Sequence, residues 1–199
     1  MIRVKRMVVA LVVCLIADTA LADQWTAPFG LEWGMSVQDA EGLGIKLQPI
    51  KSEDGTKAFV AQGLPKVLGD TDWVRLDFGY SNKLRKVVAA GQPFKNDPYG
   101  RGVLVRYGEL LQLLQSKYGV GKSTHKKGDS IYAQPEYFLA GLRSGRSWHY
   151  TNFVERGGSI ELSVRATDSD TGNWVLIYED RALADDVEKE KRAREKESL

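Results

Sequence analysis

The chain has 199 residues, a formal net charge of +2 at neutral pH and a single cysteine, Cys14. The positive excess comes entirely from four residues that precede Asp23: Arg3, Lys5, Arg6 and Asp18. From Asp23 onward the chain is therefore formally neutral and free of cysteine, which removes the electrostatic case for nucleic acid or an anionic membrane surface as main partner and excludes a disulfide framework.

The first predicted element is a cleaved signal peptide over residues 1–22. Positive charges at the start are followed by an uncharged, mostly aliphatic run from Met7 to Ala17, and small residues stand at Ala20 and Ala22, where a signal peptidase reads them. The run is well short of the ~20 residues that span a bilayer, which disfavours a membrane anchor. We expect cleavage between Ala22 and Asp23, a periplasmic or secreted protein, and no transmembrane segment in the mature chain.

A strand, a short helix and two further strands are predicted next. Apolar residues alternate with smaller or polar ones from Phe29 to Trp33, which is typical of a half-buried strand. Ser36 and Asp39 form a variant of the capping box, and Gly42 is expected to end the helix that they begin. The following strands are predicted at Ile45–Leu47, where Pro49 ends the strand or places it at a sheet edge, and at Ala58–Leu64.

A hairpin and the longest helix follow. The segment WVRLDFGYSNKLRKVVAAG predicts two strands joined by a turn at residues 81–83. Between residues 103 and 118, apolar side chains recur every three or four positions, which predicts an amphipathic helix capped by Gly119. Its expected buried face consists of Val103, Tyr107, Leu110, Leu111, Leu114 and Tyr118.

The last part of the domain is predicted to contain a shorter helix at Pro135–Leu142 and strands near residues 148–153, 160–164 and 174–179. Residues 181–199 are expected to form a charged helical tail, in which Asp185 with Lys189, Glu188 with Arg192 and Glu190 with Arg194 have the spacing of helical ion pairs. We expect residues 23–180 to form a single α+β domain. It would be an antiparallel sheet with the long amphipathic helix packed across it, a short N-terminal helix and a charged C-terminal helix.

The segment SKYGVGKST, Ser116 to Thr124, ends like a phosphate-binding loop. Its first glycine is replaced by Ser116, and the predicted helix stands before the segment, where the motif requires a strand. A helix cap followed by a solvated, lysine-rich loop explains it better. We therefore expect Lys122 to have no role in folding or activity.

Calcium-binding, metal-binding and catalytic sites have little support in the sequence. Asp168, Asp170 and Glu179 have the spacing of three calcium ligands, but glycine and asparagine stand in the wrong order and strands flank the loop, so an ordinary β-turn is favoured for Asp168 to Asn173 over a weak calcium site. His125 and His149 are 24 residues apart and lack metal-site spacing, and His125 is expected in solvent. We predict no catalytic residue, metal ligand or cofactor.

An aromatic strand surface is the best candidate binding site. The chain has five tryptophans, most of which are expected in the core. In GRSWHYTNF, one strand face would offer Trp148, Tyr150 and Asn152 as two aromatic plates and an amide, with Arg143 and Arg146 at the entrance. Such a surface would suit stacking of a sugar or a peptide, although core packing is the favoured interpretation of these rings, because burial places most large aromatic side chains inside.

Four segments carry a resemblance to known proteins: FGLEWGMSVQDAE, LDFGYSNKLRKV, RYGELLQLLQSKYG and SIELSVRATDSDTGNWVLIYED. Together they resemble a loose group of small, signal-bearing bacterial envelope proteins, mostly of unknown function. The resemblance implies a periplasmic, non-enzymatic protein and supplies no catalytic residues. We expect a binding or envelope-assembly module whose partner is an envelope protein or glycan. The alternative is a periplasmic hydrolase acting on cell-wall or secreted material.

Overall fold

Eight antiparallel strands form one sheet in the computed structural model, which describes residues 25–52 and 56–197. The predicted signal peptide and its cleavage site lie outside the described residues. The strand order is β1-β2-β3-β4-β8-β7-β6-β5. The expected α+β domain with an antiparallel sheet is confirmed.

The first half of the domain contains a short helix and four strands. After a 3-10 turn at Pro28–Gly30, the elements are α1 (Val37–Gly42), β1 (Lys46–Ile50), β2 (Lys57–Gln62), β3 (Thr71–Phe78) and β4 (Leu84–Gly91). The capping box is confirmed, because the Ser36 hydroxyl accepts a hydrogen bond from the Asp39 amide at 3.1 Å and the Asp39 carboxylate accepts one from the Ser36 amide at 2.8 Å. β1, which contains Pro49, lies at the sheet edge.

The predicted strand from Phe29 to Trp33 is wrong. Phe29 and Gly30 have φ angles of 63° and 79°, and two consecutive residues in this region turn the chain instead of extending it. The turn places the Phe29 ring edge-on to Tyr178, with ring centroids 6.4 Å apart. The apolar residues of this segment therefore pack on the core without joining the sheet.

The second half repeats the order of a helix followed by four strands. Its elements are α2 (Arg101–Tyr118), β5 (Lys122–Lys126), α3 (Phe138–Arg143), β6 (Trp148–Val154), β7 (Gly158–Ala166), β8 (Gly172–Asp180) and α4 (Arg181–Glu197). The predicted short helix is present as a 3-10 turn at Pro135–Tyr137 that continues into α3. The predicted lysine-rich loop after Gly121 is wrong, because those residues form edge strand β5 paired with β6.

The two halves meet where β4 pairs antiparallel with β8. Within each half the strands pair in chain order, so the sheet has two four-stranded meanders arranged around this central pair. The halves differ most in the connection between their first two strands. In the second half, residues 127–147, called the insertion below, separate β5 from β6 and contain α3 and two 3-10 turns.

The hydrophobic core lies between the sheet and α2. The residues of α2 that are buried are Val103, Tyr107, Leu110 and Leu114, which confirms most of the predicted face, while Leu111 and Tyr118 are half-buried. Gly119 ends the helix with a φ of 75°, and its amide donates to the Gln115 carbonyl. By register, the strand residues facing the same core include Thr151, Phe153, Leu162 and Leu176.

The C-terminal helix α4 contacts β4, β7 and β8. Val187 is its buried residue, and the predicted pair of Glu190 with Arg194 forms at 2.9 Å. Lys189 pairs with Asp186 instead of the expected Asp185. Within the described residues, no helix is both long and apolar enough to cross a membrane.

Candidate ligand-binding cavity

A cavity of about 570 Å³ lies where the insertion meets the start of α2 and the strands β5 and β6. The side chains that line it are Tyr99, Arg101, Leu104, His125, Lys126, Lys127, Pro135, Phe138, Trp148 and His149. Its volume falls in the range of about 300–1,000 Å³ that is typical of small-molecule sites. The insertion contributes three of these lining residues, Lys127, Pro135 and Phe138.

Two stacked histidines form one wall of the cavity. His125 and His149 are direct cross-strand partners, and their rings are parallel with centroids 3.9 Å apart. The rings of Tyr107 and Phe138 approach His149 edge-on, at 4.6 and 5.9 Å between centroids. His149 is half-buried, whereas His125 is exposed, as expected from the sequence.

The surroundings of His149 favour the neutral imidazole. Burial lowers the pKa of His149 to about 4, and repulsion from His125 acts in the same direction. At neutral pH this ring is therefore uncharged and presents a mostly apolar aromatic surface to the cavity.

A chain of hydroxyl groups holds the wall from the core side. The Tyr107 and Thr151 hydroxyls are hydrogen-bonded at 2.6 Å, and the Thr151 and Ser123 hydroxyls at 2.8 Å. Thr151 is fully buried, and burial raises the pKa of the Tyr107 phenol. Because these bonds join α2 to β6 and β5, they fix the helix against the strands that carry the histidines.

Cations border the cavity. The Arg101 guanidinium lies 4.7 Å from the Tyr99 ring centroid, and the Lys126 ammonium lies 4.9 Å from the Trp148 ring centroid. Both contacts are within the range of cation–π interactions. Lys127 also lines the cavity, whereas no aspartate or glutamate is among its lining residues in the part of the chain that the structure describes.

The sequence-predicted surface is only partly assembled. By register, Trp148, Tyr150 and Asn152 share the sheet face opposite α2; Trp148 is 41% exposed, and the other two are half-buried. Trp148 and Tyr150 border a small cleft of about 80 Å³, which Asn152 does not line. Trp148 also lines the larger cavity, so it belongs to both.

The two predicted arginines make other contacts. Arg143 is exposed and pairs with Asp168 at 2.7 Å. Arg146 is also exposed; it lies 3.8 Å from Asp129 and over the Tyr132 ring. Neither lines the cavity or the small cleft, so the structure does not group them with Trp148 at a common site.

The calcium arrangement considered from the sequence is not formed. Glu179 lies near the far end of β8 from the loop that holds Asp168 and Asp170, about 20 Å away at the rise of an extended strand. Glu179 instead pairs with Arg85 at 3.0 Å. More generally, residues 25–52 and 56–197 contain no group of three or more His, Cys, Asp or Glu placed to hold a metal ion.

Gly121, which matches a glycine of the phosphate-binding loop motif, has a packing role. The segment runs from the end of α2 into β5, which is the reverse of the strand-to-helix order of that motif. A Cβ at Gly121 would come within 2.7 Å of the Thr151 methyl group. Glycine at this position therefore lets β5 approach β6 closely.

Most residues of the cavity were not identified from the sequence. Of its lining residues, only Trp148 belongs to the surface predicted from the sequence, and the 24-residue separation of His125 and His149 does not indicate that the two rings are neighbours. The available signal was the alternation in KSTHK, in which Ser123 and His125 fall on one face of a strand. Strand propensity is low in this lysine-rich segment, which is why the signal favoured a loop.

Comparisons with family models, with curated proteins and with solved structures gave no match to this chain. The resemblance to small envelope proteins therefore remains an expectation from the sequence.

Proposed function

We propose that the protein is an exported binding module without catalytic function, and that it holds part of an envelope component in the cavity beside Trp148. The observation that carries this proposal is the cavity itself, which is about 570 Å³ in volume and has a largely aromatic and aliphatic wall. Export is supported by the pattern of residues 1–22.

The wall is suited to holding a ligand without reacting with it. Leu104, Phe138 and the neutral ring of His149 provide apolar contact area, and Trp148 adds an aromatic plate that is 41% exposed. Stacking and burial of an apolar group need only accessible rings and a few polar partners. The envelope partner is therefore expected to present an apolar or aromatic group to this cavity.

Titration with N-phenyl-1-naphthylamine, a neutral apolar dye that fluoresces when it leaves water, tests the cavity as a binding site. We expect saturable binding to the native protein, weakened at least about tenfold in Leu104→Trp, because the larger side chain fills the cavity. Val105→Trp is the matched control, since Val105 is the next residue of α2 and is 66% exposed outside the cavity.

Circular dichroism would verify that both variants are folded. Absence of saturable binding, or equal binding by Leu104→Trp and Val105→Trp, would rule out the cavity as the site. Export is tested separately by mass spectrometry of the protein isolated from its native cells. A chain beginning at Asp23 is expected, and an intact Met1 in a soluble cytoplasmic fraction would contradict export.

A further inference from the structure

Three exposed cations lie at the border of the cavity. Arg101, Lys126 and Lys127, called the cationic rim below, line the cavity and are exposed, and none of them forms an ion pair with a described carboxylate. Several other arginines do have such partners: Arg106 pairs with Asp70 and Arg165 with Glu161. The three cations thus surround an apolar cavity with no opposing charge among its lining residues.

Two of the three cations of the rim lie over aromatic rings. Arg101 lies over Tyr99 and Lys126 over Trp148. Such contacts hold the side chains beside the cavity while leaving their hydrogen-bond donors available to a ligand. Because low-dielectric walls strengthen a nearby field, an anionic group at the rim would be attracted more strongly than at an open surface.

Behind the rim, the cavity offers contacts for uncharged groups. Leu104, Pro135 and Phe138 contribute aliphatic and aromatic surface, and the His149 ring is edge-on to Phe138 at 5.9 Å. The cavity therefore combines an apolar interior with positive charge at its border.

We propose that the cavity binds a small amphipathic anion, with an apolar body against Leu104, Phe138 and His149 and one carboxylate, sulfonate or phosphate group at the cationic rim. This ligand class rests on the proposed function, because it requires that the cavity is a binding site. Charge complementarity sets the class: the lining residues offer three cations and no carboxylate among the described residues.

Two dyes with the same aromatic body separate the anionic requirement from the apolar one. 8-Anilinonaphthalene-1-sulfonate differs from N-phenyl-1-naphthylamine by one sulfonate group. We expect the sulfonate dye to bind the native protein at least about tenfold more tightly, since one charge-assisted contact is worth roughly that factor. The preference is also expected to fall as salt is added, because the rim is exposed and its charges are screened.

Substitutions locate the preference. The double variant Arg101→Gln/Lys126→Gln is expected to reduce the affinity ratio of the two dyes to near one while leaving the neutral dye bound. Lys122→Gln is the control for loss of a charge, because Lys122 is an exposed lysine of the same strand as Lys126 and does not line the cavity. Its affinity ratio should equal that of the native protein.

The outcomes distinguish the two proposals. If both dyes bind with similar affinity and Leu104→Trp blocks both, the cavity is a ligand site but the anionic class is wrong. If neither dye binds, both proposals fail. A preference that survives in Arg101→Gln/Lys126→Gln, or that is lost equally in Lys122→Gln, would overturn the assignment of the anion to this rim.

Discussion

The His149 ring sits in an environment that opposes its protonation, which makes it a source of pH-dependent stability. Its pKa is about 4 in the folded protein and about 6.5 in an unfolded chain. As the pH falls below about 6.5, the unfolded chain therefore takes up a proton at His149 that the folded protein binds only near pH 4. The free energy of unfolding should fall as the pH drops from about 6.5 to about 4, with a slope of at most about 1.4 kcal/mol per pH unit, less for a partly solvated ring. Urea melts across this range measure it.

Carboxylates also contribute to acid sensitivity, so a variant is needed to isolate His149. In particular, the hydrogen bond from Arg106 holds the pKa of Asp70 below its usual range. The contribution of Asp70 is lost only as the pH falls below the ordinary aspartate range. His149→Phe keeps an aromatic ring beside Tyr107 and Phe138 and should have a flatter stability profile between pH 6.5 and 4. A profile identical to that of the native protein would show that His149 is not held neutral by the fold.

At the residue level, the sequence does not indicate which side chains become neighbours or how far a strand aromatic is buried. The sequence favours core packing for Trp148 and leaves its exposure open, whereas the side chain is 41% exposed in the structure. The pairing of His125 with His149 depends on the register of β5 with β6. That register is set across an insertion of residues 127–147, so local spacing contains no information about which residues become neighbours.

Among the elements, α2 offers the cleanest test of the assigned helix face. Leu110 is 2% exposed in the core, and Leu113, one turn further along the same helix, is 59% exposed. Leu110→Ala should destabilise the protein by about 2–5 kcal/mol, because it removes buried methyl groups and leaves a cavity. Leu113→Ala should change stability by no more than about 0.5 kcal/mol. Equal losses at the two positions in urea melts would contradict the assigned face.

Elements with strong local signals were predicted well. The three- and four-residue spacing of α2, the Ser36 cap and the alternation of β3 and β4 all depend on neighbours in sequence. Two predictions failed for opposite reasons. The Phe29 segment alternates like a strand but contains a left-handed turn, and β5 is lysine-rich but is held in the sheet by pairing with β6.

For the whole molecule, the central pair of strands depends on close packing at one glycine. The Trp174 ring of β8 is fully buried against Gly91 of β4, and its indole nitrogen donates to Asp70 at 2.8 Å. Asp70 in turn accepts two hydrogen bonds from Arg106 of α2, at 2.7 and 2.8 Å. This cluster links the loop before β3, both central strands and the long helix, which explains why sequence patterns within either half did not predict it.

Gly91→Ala tests whether the two halves depend on this contact. A Cβ at Gly91 would overlap the Trp174 indole, and the backbone of Gly91 is not in a conformation that requires glycine, so the cost is steric. We expect a loss of about 1–3 kcal/mol, since the fully buried ring would have to shift and a shift would disturb its hydrogen bond to Asp70. Gly108→Ala is the control, because a Cβ there meets no atom within 4 Å and an alanine in a helix should add about 0.5–1 kcal/mol. Urea unfolding followed by circular dichroism measures both variants. If Gly91→Ala is as stable as the native protein, Trp174 does not pack against β4 as closely as described, and the central pair must be held by other contacts.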